Sequence, residues 1–297
     1  MYKRQSGDRL VVFISKNYYY YYYYDVEDVE SSGPQTTVTV YDIEDPAEPQ
    51  KISELGMDGD YFNSRLIGDY LYYIITNQAY VSDDELVPLP SIRENETWCN
   101  IEPTQIWYPN NTRGLMQYYT IASLDISEAE AQLTTETFLL DSGYNLYVSP
   151  TNLYLTSNGW SSDTTITKIG IENGDITFKA NGTVPGYVLN QFSMDESDGY
   201  FRIATTSNDW RSGSNGNNVY VLDEDLEIVG KLEDLAPGEE IYSARFMGSR
   251  CYLVTFKKID PLFTIDLSNP ENPTVLGKLK IPGFSDYLHP YDENTLI

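Results

Sequence analysis

The stretch that decides the fold is residues 241–291, IYSARFMGSRCYLVTFKKIDPLFTIDLSNPENPTVLGKLKIPGFSDYLHPY. ARFMG leads through Ser249 and Arg250 into CYLVTF, a tight turn feeding a run rich in β-formers. LFTIDL alternates, SNPENP is a turn cluster, and TVLGKL alternates again before the start of a further run. Short alternating runs bounded by Gly, Pro, Asn and Asp are strands joined by tight turns. The stretch therefore reads as one four-stranded antiparallel unit.

Working outward, the same phrase recurs. A turn followed by an aromatic and aliphatic strand is found as GDRLVVFIS at Gly7, GDYLYYIIT at Gly68, PTNLYLTS at Pro150, DGYFRIATT at Asp198, GSRCYLVTF at Gly248 and DENTLI at Asp292. The intervals are 61, 82, 48, 50 and 44 residues. The last three match the ~40–50 residues of a propeller blade, and the longer two contain insertions. A second strand follows each copy, most often closed by aspartate: TVTVYDIEDP, YYTIASLDIS, TTITKIGIENG, NNVYVLDED and PLFTIDLSNP. Asp42, Asp125, Asp223 and Asp266 read as turn formers, whose carboxylates accept backbone N–H groups of the following turn. A third strand ends each unit, as in QKISELG, TFLLDSG, ITFKANG, VGKLEDL and VLGKLKI. The pattern predicts an all-β propeller of four-stranded antiparallel blades, with no helix and with both ends cut through a longer protein. Residues 1 to 5, MYKRQ, look like translated adapter sequence and are left out, so a single partial propeller domain is expected over 6–297.

Two segments interrupt the repeat. Residues 16–36 contain seven consecutive tyrosines, Tyr18 to Tyr24, and then an acidic tail; a strand overrunning its blade is the first reading and an aromatic binding surface the alternative. Residues 78–114 are a long Pro-, Asn- and acid-rich excursion carrying Trp98, Cys99 and Trp107. Long loops of this kind are often functional, so Trp98 and Trp107 are the expected contact surface of the insertion.

Composition limits the function. Lys+Arg 19 against Asp+Glu 45 gives a formal net charge of −26, which repels nucleic acid and anionic lipid. No run reaches the roughly 18 apolar residues of a membrane span. Cys251 reads as a small buried hydrophobe, and whether it pairs with Cys99 is open. One histidine, His289, argues against a histidine zinc site and against Ser-His-Asp chemistry; it reads as a packed strand-end residue. The carboxylate-rich turns DGD (58–60), DESDG (195–199) and DED (223–225) are of the kind calcium favours, but none has a full calcium-loop spacing, so no cofactor is expected. Sequons begin at Asn95, Asn110 and Asn181; Asn181 is read at a turn and exposed.

Aligning the strands that precede each repeated turn puts Arg65, Tyr147, Gln191, Arg245 and His289 in one column. By period-two alternation Asn63, Asn145, Leu189, Ser243 and Tyr287 share their face. Near a propeller axis this column would offer cationic and polar groups to an anionic ligand or to a partner's acidic side chain. The competing reading has Arg65 and Arg245 consumed by neighbouring aspartates.

The runs LNQFSMDESDGYFRIATT (189–206), LAPGEEIYSARFMGSRCYLVTF (235–256), DPLFTIDLSNP (260–270) and KIPGFSDYLHPY (280–291), with YDIEDPAEP (41–49) and YFNSRLIGDYLYYI (61–74), carry a family resemblance. The chain resembles secreted or membrane-anchored prokaryotic proteins whose β-propeller domain is distantly related to WD-repeats. That resemblance implies a bacterial or archaeal protein outside the cytoplasmic membrane and no established reaction. The expected function is a non-enzymatic interaction module binding a protein or glycan partner at the cell envelope. The alternative is an envelope-polymer hydrolase or lyase with acids at the axis.

Overall fold

The computed structural model describes residues 1–16, 34–79, 87–94, 97–109, 115–128, 132–158, 162–209, 214–256, 260–281, 287–292 and 295–297. The chain divides into two units, 1–141 with 171–177, and 142–170 with 178–297. The tyrosine run and the sequons at Asn95 and Asn110 lie outside the described residues.

The first unit begins with β1 (Tyr2–Ser6), β2 (Arg9–Lys16), β3 (Gln35–Asp42), β4 (Gln50–Asp58), β5 (Asp60–Ile67) and β6 (Tyr70–Gln78). It continues with β7 (Ser91–Glu94), β8 (Thr97–Asn100), β9 (Ile106–Trp107), β10 (Met116–Asp125) and β11 (Leu133–Asp141). These form two sheets, ordered β1-β2-β3-β4-β7-β8 and β5-β6-β10-β11-β9. Residues 1 to 5, left out of the fold on sequence grounds, lie mostly in β1, which pairs antiparallel with β2 from Tyr2 opposite Phe13 to Ser6 opposite Arg9.

The later strands are β12 (Gly143–Val148), β13 (Asn152–Asn158), β14 (Asp163–Glu172), β15 (Asp175–Pro185), β16 (Met194–Ser197), β17 (Tyr200–Asp209), β18 (Ser214–Leu222) and β19 (Ile228–Leu235). They are followed by β20 (Glu240–Met247), β21 (Arg250–Phe256), β22 (Asp260–Asp266), β23 (Thr274–Ile281), β24 (Pro290–Asp292) and β25 (Thr295–Leu296). Their sheets are three four-stranded meanders in chain order, β12 to β15, β16 to β19 and β20 to β23, and the β24–β25 pair.

The recurrent turn joins the first and second strands of each group. Gly7, Gly68 and Gly248 hold φ of 51°, 59° and 52° there. A Cβ at any of the three would meet nothing within 4 Å, so glycine is required by conformation and not by space. The aspartates that close the third strand of each group do what their position predicts. Asp42, Asp125 and Asp266 each accept from the backbone N–H two residues on, and Asp223 accepts from Asp225 and Glu227. These backbone bonds hold the Asp42 and Asp266 carboxyls below the usual carboxylate range.

Alternation fills the cores. In the first unit Val11, Phe13, Val38, Leu71 and Tyr73 are fully buried together. Tyr154, Phe201, Ile203 and Tyr220 form one cluster of the second unit, with the Tyr154 and Phe201 rings stacked at 4.1 Å; Cys251, Leu253 and Ile265 belong to another. Cys251 is a buried free thiol, pushed up to about 12 by burial, and Cys99 is an exposed one.

Two expectations are corrected. The 78–114 excursion is not structureless: it contributes β7, β8 and β9 to the two sheets of the first unit and a 3-10 turn at Pro103–Gln105. Asn181 is exposed as expected, but it lies within β15 and not at a turn.

Candidate functional site

The column read from the sequence sits on the first strands of successive sheets. Arg65 is in β5, Tyr147 in β12 and Arg245 in β20, whereas Gln191 opens a 3-10 turn before β16 and His289 immediately precedes β24. Three of these strands share an irregularity that the sequence did not reveal. The register steps between Tyr61 and Asn63, between Gly143 and Asn145, and between Ile241 and Ser243. The extra residue is aromatic each time, Phe62, Tyr144 and Tyr242, and the polar residue of the column follows it directly. A bulge of this kind bends a strand and re-aims the side chains after it.

The re-aimed groups do different work. Asn63 Oδ1 accepts from the Ser64 N–H and from Arg65 Nη1, and Arg65 also donates to the Ser64 carbonyl at 2.9 Å. Burial, with Arg4 nearby, lowers the pKa of Arg65. Asn145 Nδ2 donates to the Val188 carbonyl, and Tyr147 Oη accepts from the Glu196 N–H at 3.1 Å. Ser243 is buried.

Arg245 stands apart. Its guanidinium carbon is 4.7 Å from the Phe192 ring centre and 5.7 Å from that of Tyr287, and the two rings meet edge to face at 5.3 Å. The 3-10 turn Gln191–Ser193 presents Phe192, and Asn190 caps it by accepting the Phe192 N–H at 2.9 Å. Tyr287 lies 6.1 Å from His289, which is exposed and not packed, with its backbone bonded in both directions to Ile297. Among the described residues no carboxylate is at ion-pair distance from Arg245. The arginine that takes the neighbouring acid is Arg202. It is 5% exposed, contacts Asp195 Oδ2 through Nε at 2.9 Å and through Nη2, and donates to the Gly248 carbonyl at 2.6 Å. Burial pushes the Asp195 carboxyl up, against the pull of Arg202 and, more weakly, Arg245.

The insertion builds a second surface, in the first unit. β7 pairs with β4, Met57 opposite Ile92 and Gly56 opposite Arg93. Gly56 permits the approach, since a Cβ there would lie 2.9 Å from Arg93 Nε. Arg93 bonds Glu54 at 3.0 Å and lies 5.9 Å from the Trp98 ring, so Trp98 faces the Arg93 side of the β7–β8 hairpin. On the hairpin's other side Ile92 and Cys99 line a groove of about 670 Å³ with Asn100, Thr104, Gln105 and Trp107. β9 runs parallel to β11 and sets Trp107 opposite Phe138. Trp107 and Tyr108 are 52% and 68% exposed at the groove, and Glu136 in its wall is pushed up by burial.

The family model described as the beta propeller domain matches residues 5–297. The chain belongs to that family. An uncharacterized protein of Archaeoglobus fulgidus is 30% identical over 81% of this chain and 50% of its own length. Another, of Methanocaldococcus jannaschii, is 53% identical over 45% of this chain and 21% of its own. The chain therefore spans half or less of the curated relatives it matches. The solved structure of Hsv2 from Kluyvelomyces marxianus aligns over 88% of this chain and 81% of its own at 12% identity, with a TM-score of 0.41.

In this propeller domain the predicted site residues fall into separate places. Trp107 lines the groove and Trp98 does not. Arg245 gains two aromatic neighbours, Phe192 and Tyr287, of which Phe192 lay outside the strand pattern altogether. Among the described residues no three of His, Cys, Asp and Glu come together as a metal-holding group. Of the turns compared with calcium loops, 223–225 spends its Asp223 carboxylate on backbone N–H groups and 195–199 spends Asp195 on Arg202.

Proposed function

We propose that this propeller domain is a non-enzymatic binding module that works outside the cytoplasmic membrane and holds a neutral glycan of the cell envelope in the groove of the 78–114 insertion. The observation that carries the reading is the groove itself. Exposed Trp107 and Tyr108 stand beside the amides of Asn100 and Gln105 and the hydroxyls of Thr104 and Thr135. Aromatic faces with polar tips suit a ligand that is apolar on one face and rich in hydroxyls at its edge. The net charge of −26 favours a neutral polymer over an acidic one. The position outside the membrane rests on the resemblance of residues 189–291 to secreted and membrane-anchored prokaryotic proteins.

A hydrolase acting by general acid–base catalysis would bring two carboxylates to the groove. Glu136 is the acid among the described residues that line it. The test is retention of envelope polysaccharide on the immobilised domain, beside Trp107→Ala and Tyr108→Ala. Retention lost in both variants, with their thermal unfolding unchanged, is the expected result. Retention of protein alone, or equal retention by all three, would overturn the glycan assignment, and shortening of the bound polymer would overturn the non-enzymatic one.

A further inference from the structure

We propose that Arg245, Phe192 and Tyr287 form a binding site for an isolated carboxylate group carried by an otherwise uncharged organic molecule. This site is independent of the insertion groove.

The first argument is geometric. Phe192 and Tyr287 hold the guanidinium of Arg245 in an aromatic corner, at 4.7 and 5.7 Å. A cation–π contact engages the charge of the group and leaves its in-plane N–H fork unused. That fork matches the two oxygens of a carboxylate. The corner is anchored from both sides, by the Asn190 cap on Phe192 and by the His289–Ile297 backbone pair two residues after Tyr287.

The second argument is charge. Asp195 acts electrostatically on both Arg202 and Arg245, yet its Oδ2 is bonded to Arg202. The neighbouring acid, Glu196, accepts two bonds from Asn152 Nδ2, at 2.9 and 3.2 Å. Asn152 is neutral, so Glu196 keeps its charge, but among the described residues Arg245 is the cation of this group that makes no ion pair, on a chain of net charge −26. A molecule with many negative charges would be repelled by the rest of the chain, whereas one carboxylate feels mainly this site.

The third argument is the surroundings. Tyr287 is 48% exposed and offers apolar area to the carbon skeleton beside the carboxylate. Phosphate is better served by several cations or a nest of backbone N–H groups, and one guanidinium in an aromatic corner is a poorer match to it.

The experiment follows the Arg245 Nε–Hε resonance by NMR while the domain is titrated with N-acetylglycine, with N-acetylglycinamide as the uncharged control. Glucuronate and inorganic phosphate are titrated separately. A saturable shift with N-acetylglycine and none with the amide is expected. Arg245→Gln should weaken binding about tenfold or more, with Arg245→Lys between, because a lysine cannot make the paired contact. Trp107→Ala should leave it unchanged. Tighter binding of N-acetylglycine than of glucuronate assigns the carboxylate to a peptide terminus, and the reverse order assigns it to a sugar acid; both support the site. No saturable shift in the wild-type chain, phosphate binding as tight as either carboxylate, or undiminished binding by Arg245→Gln would overturn it. The wild-type titration decides the matter even if the glutamine variant fails to fold.

Discussion

The last strand of the repeat is finished in two ways. In the first unit β4 and β11 would each end a four-stranded group, and the insertion adds β7 to one and β9 to the other. In the second unit β23 ends its sheet with Val275, Leu276 and Leu279 exposed, and with Lys278 and Lys280 between and beside them. An outer strand presents unpaired backbone groups, which proteins blunt by covering the edge or by placing lysine on it. One fold thus uses chain in one place and charge in the other. The excursion that reads as a loop in the sequence is therefore part of the sheets, and the exposed rings of Trp107 and Tyr108 are carried on or beside paired strands.

The contrast is tested most strongly at Ile92. It is buried in the first unit's core, opposite Met57. Ile92→Ala should destabilise the first unit by about 2–4 kcal/mol in denaturant unfolding, the usual cost of removing a large buried aliphatic side chain. A cost no larger than that of a surface change would mean that the β7–β8 hairpin covers β4 without stabilising it.

A smaller effect is expected at Glu136, in the groove wall. Burial raises its carboxyl above the usual range. The folded state then holds its proton more readily than the unfolded state, so the group favours folding below the unfolded value. That contribution is lost as pH rises through the folded value. Glu136→Gln should therefore stabilise the first unit slightly near neutrality and remove a contribution that falls as pH rises through the carboxylate range. Asp42 and Asp266 have the opposite sign, since their lowered carboxyls stabilise above the usual value and lose that contribution as pH falls. Lower stability near neutrality, or a stability that falls more steeply with rising pH, after Glu136→Gln would contradict the assignment.

The parts of this structure that were legible are those where one physical signal repeats. GDYLYYIIT and GSRCYLVTF announce a left-handed glycine followed by a largely buried apolar strand, unbroken from Leu71 to Thr76 in β6, and the closing aspartates announce their turns. The inserted strands β7, β8 and β9 have at most four residues, too few for alternation to stand out, and Pro and Asn around them read as loop. Asp195 and Arg202 were legible in principle: with the turn at Asp198 and Gly199, the hairpin register sets them directly opposite each other, where opposite charges pair. Phe192 was not, because its place at Arg245 depends on a 3-10 turn outside any strand. The bulges at Phe62, Tyr144 and Tyr242 share an aromatic-then-polar pair, but a period-two reading passes over a residue that breaks the period.

The smallest effect belongs to the bare edge, and its smallness is the point. Leu276 and Leu279 are 57% and 62% exposed on β23, so they gain little on folding. Replacing both with serine should change stability by no more than about 0.5 kcal/mol, the range of ordinary surface substitutions. Lys278 stays in place, its ammonium 4.9 Å from the Phe263 ring. The readout that should move is association. Apolar side chains on an unpaired edge favour strand-to-strand contact between copies, and the two lysines oppose it. Sedimentation velocity on the double serine variant should show less concentration-dependent self-association than the parent chain, and Lys278→Gln with Lys280→Gln should show more. A double serine variant that lost stability by as much as Ile92→Ala would show that this edge, too, is held against something, and the distinction between the two edges would fall.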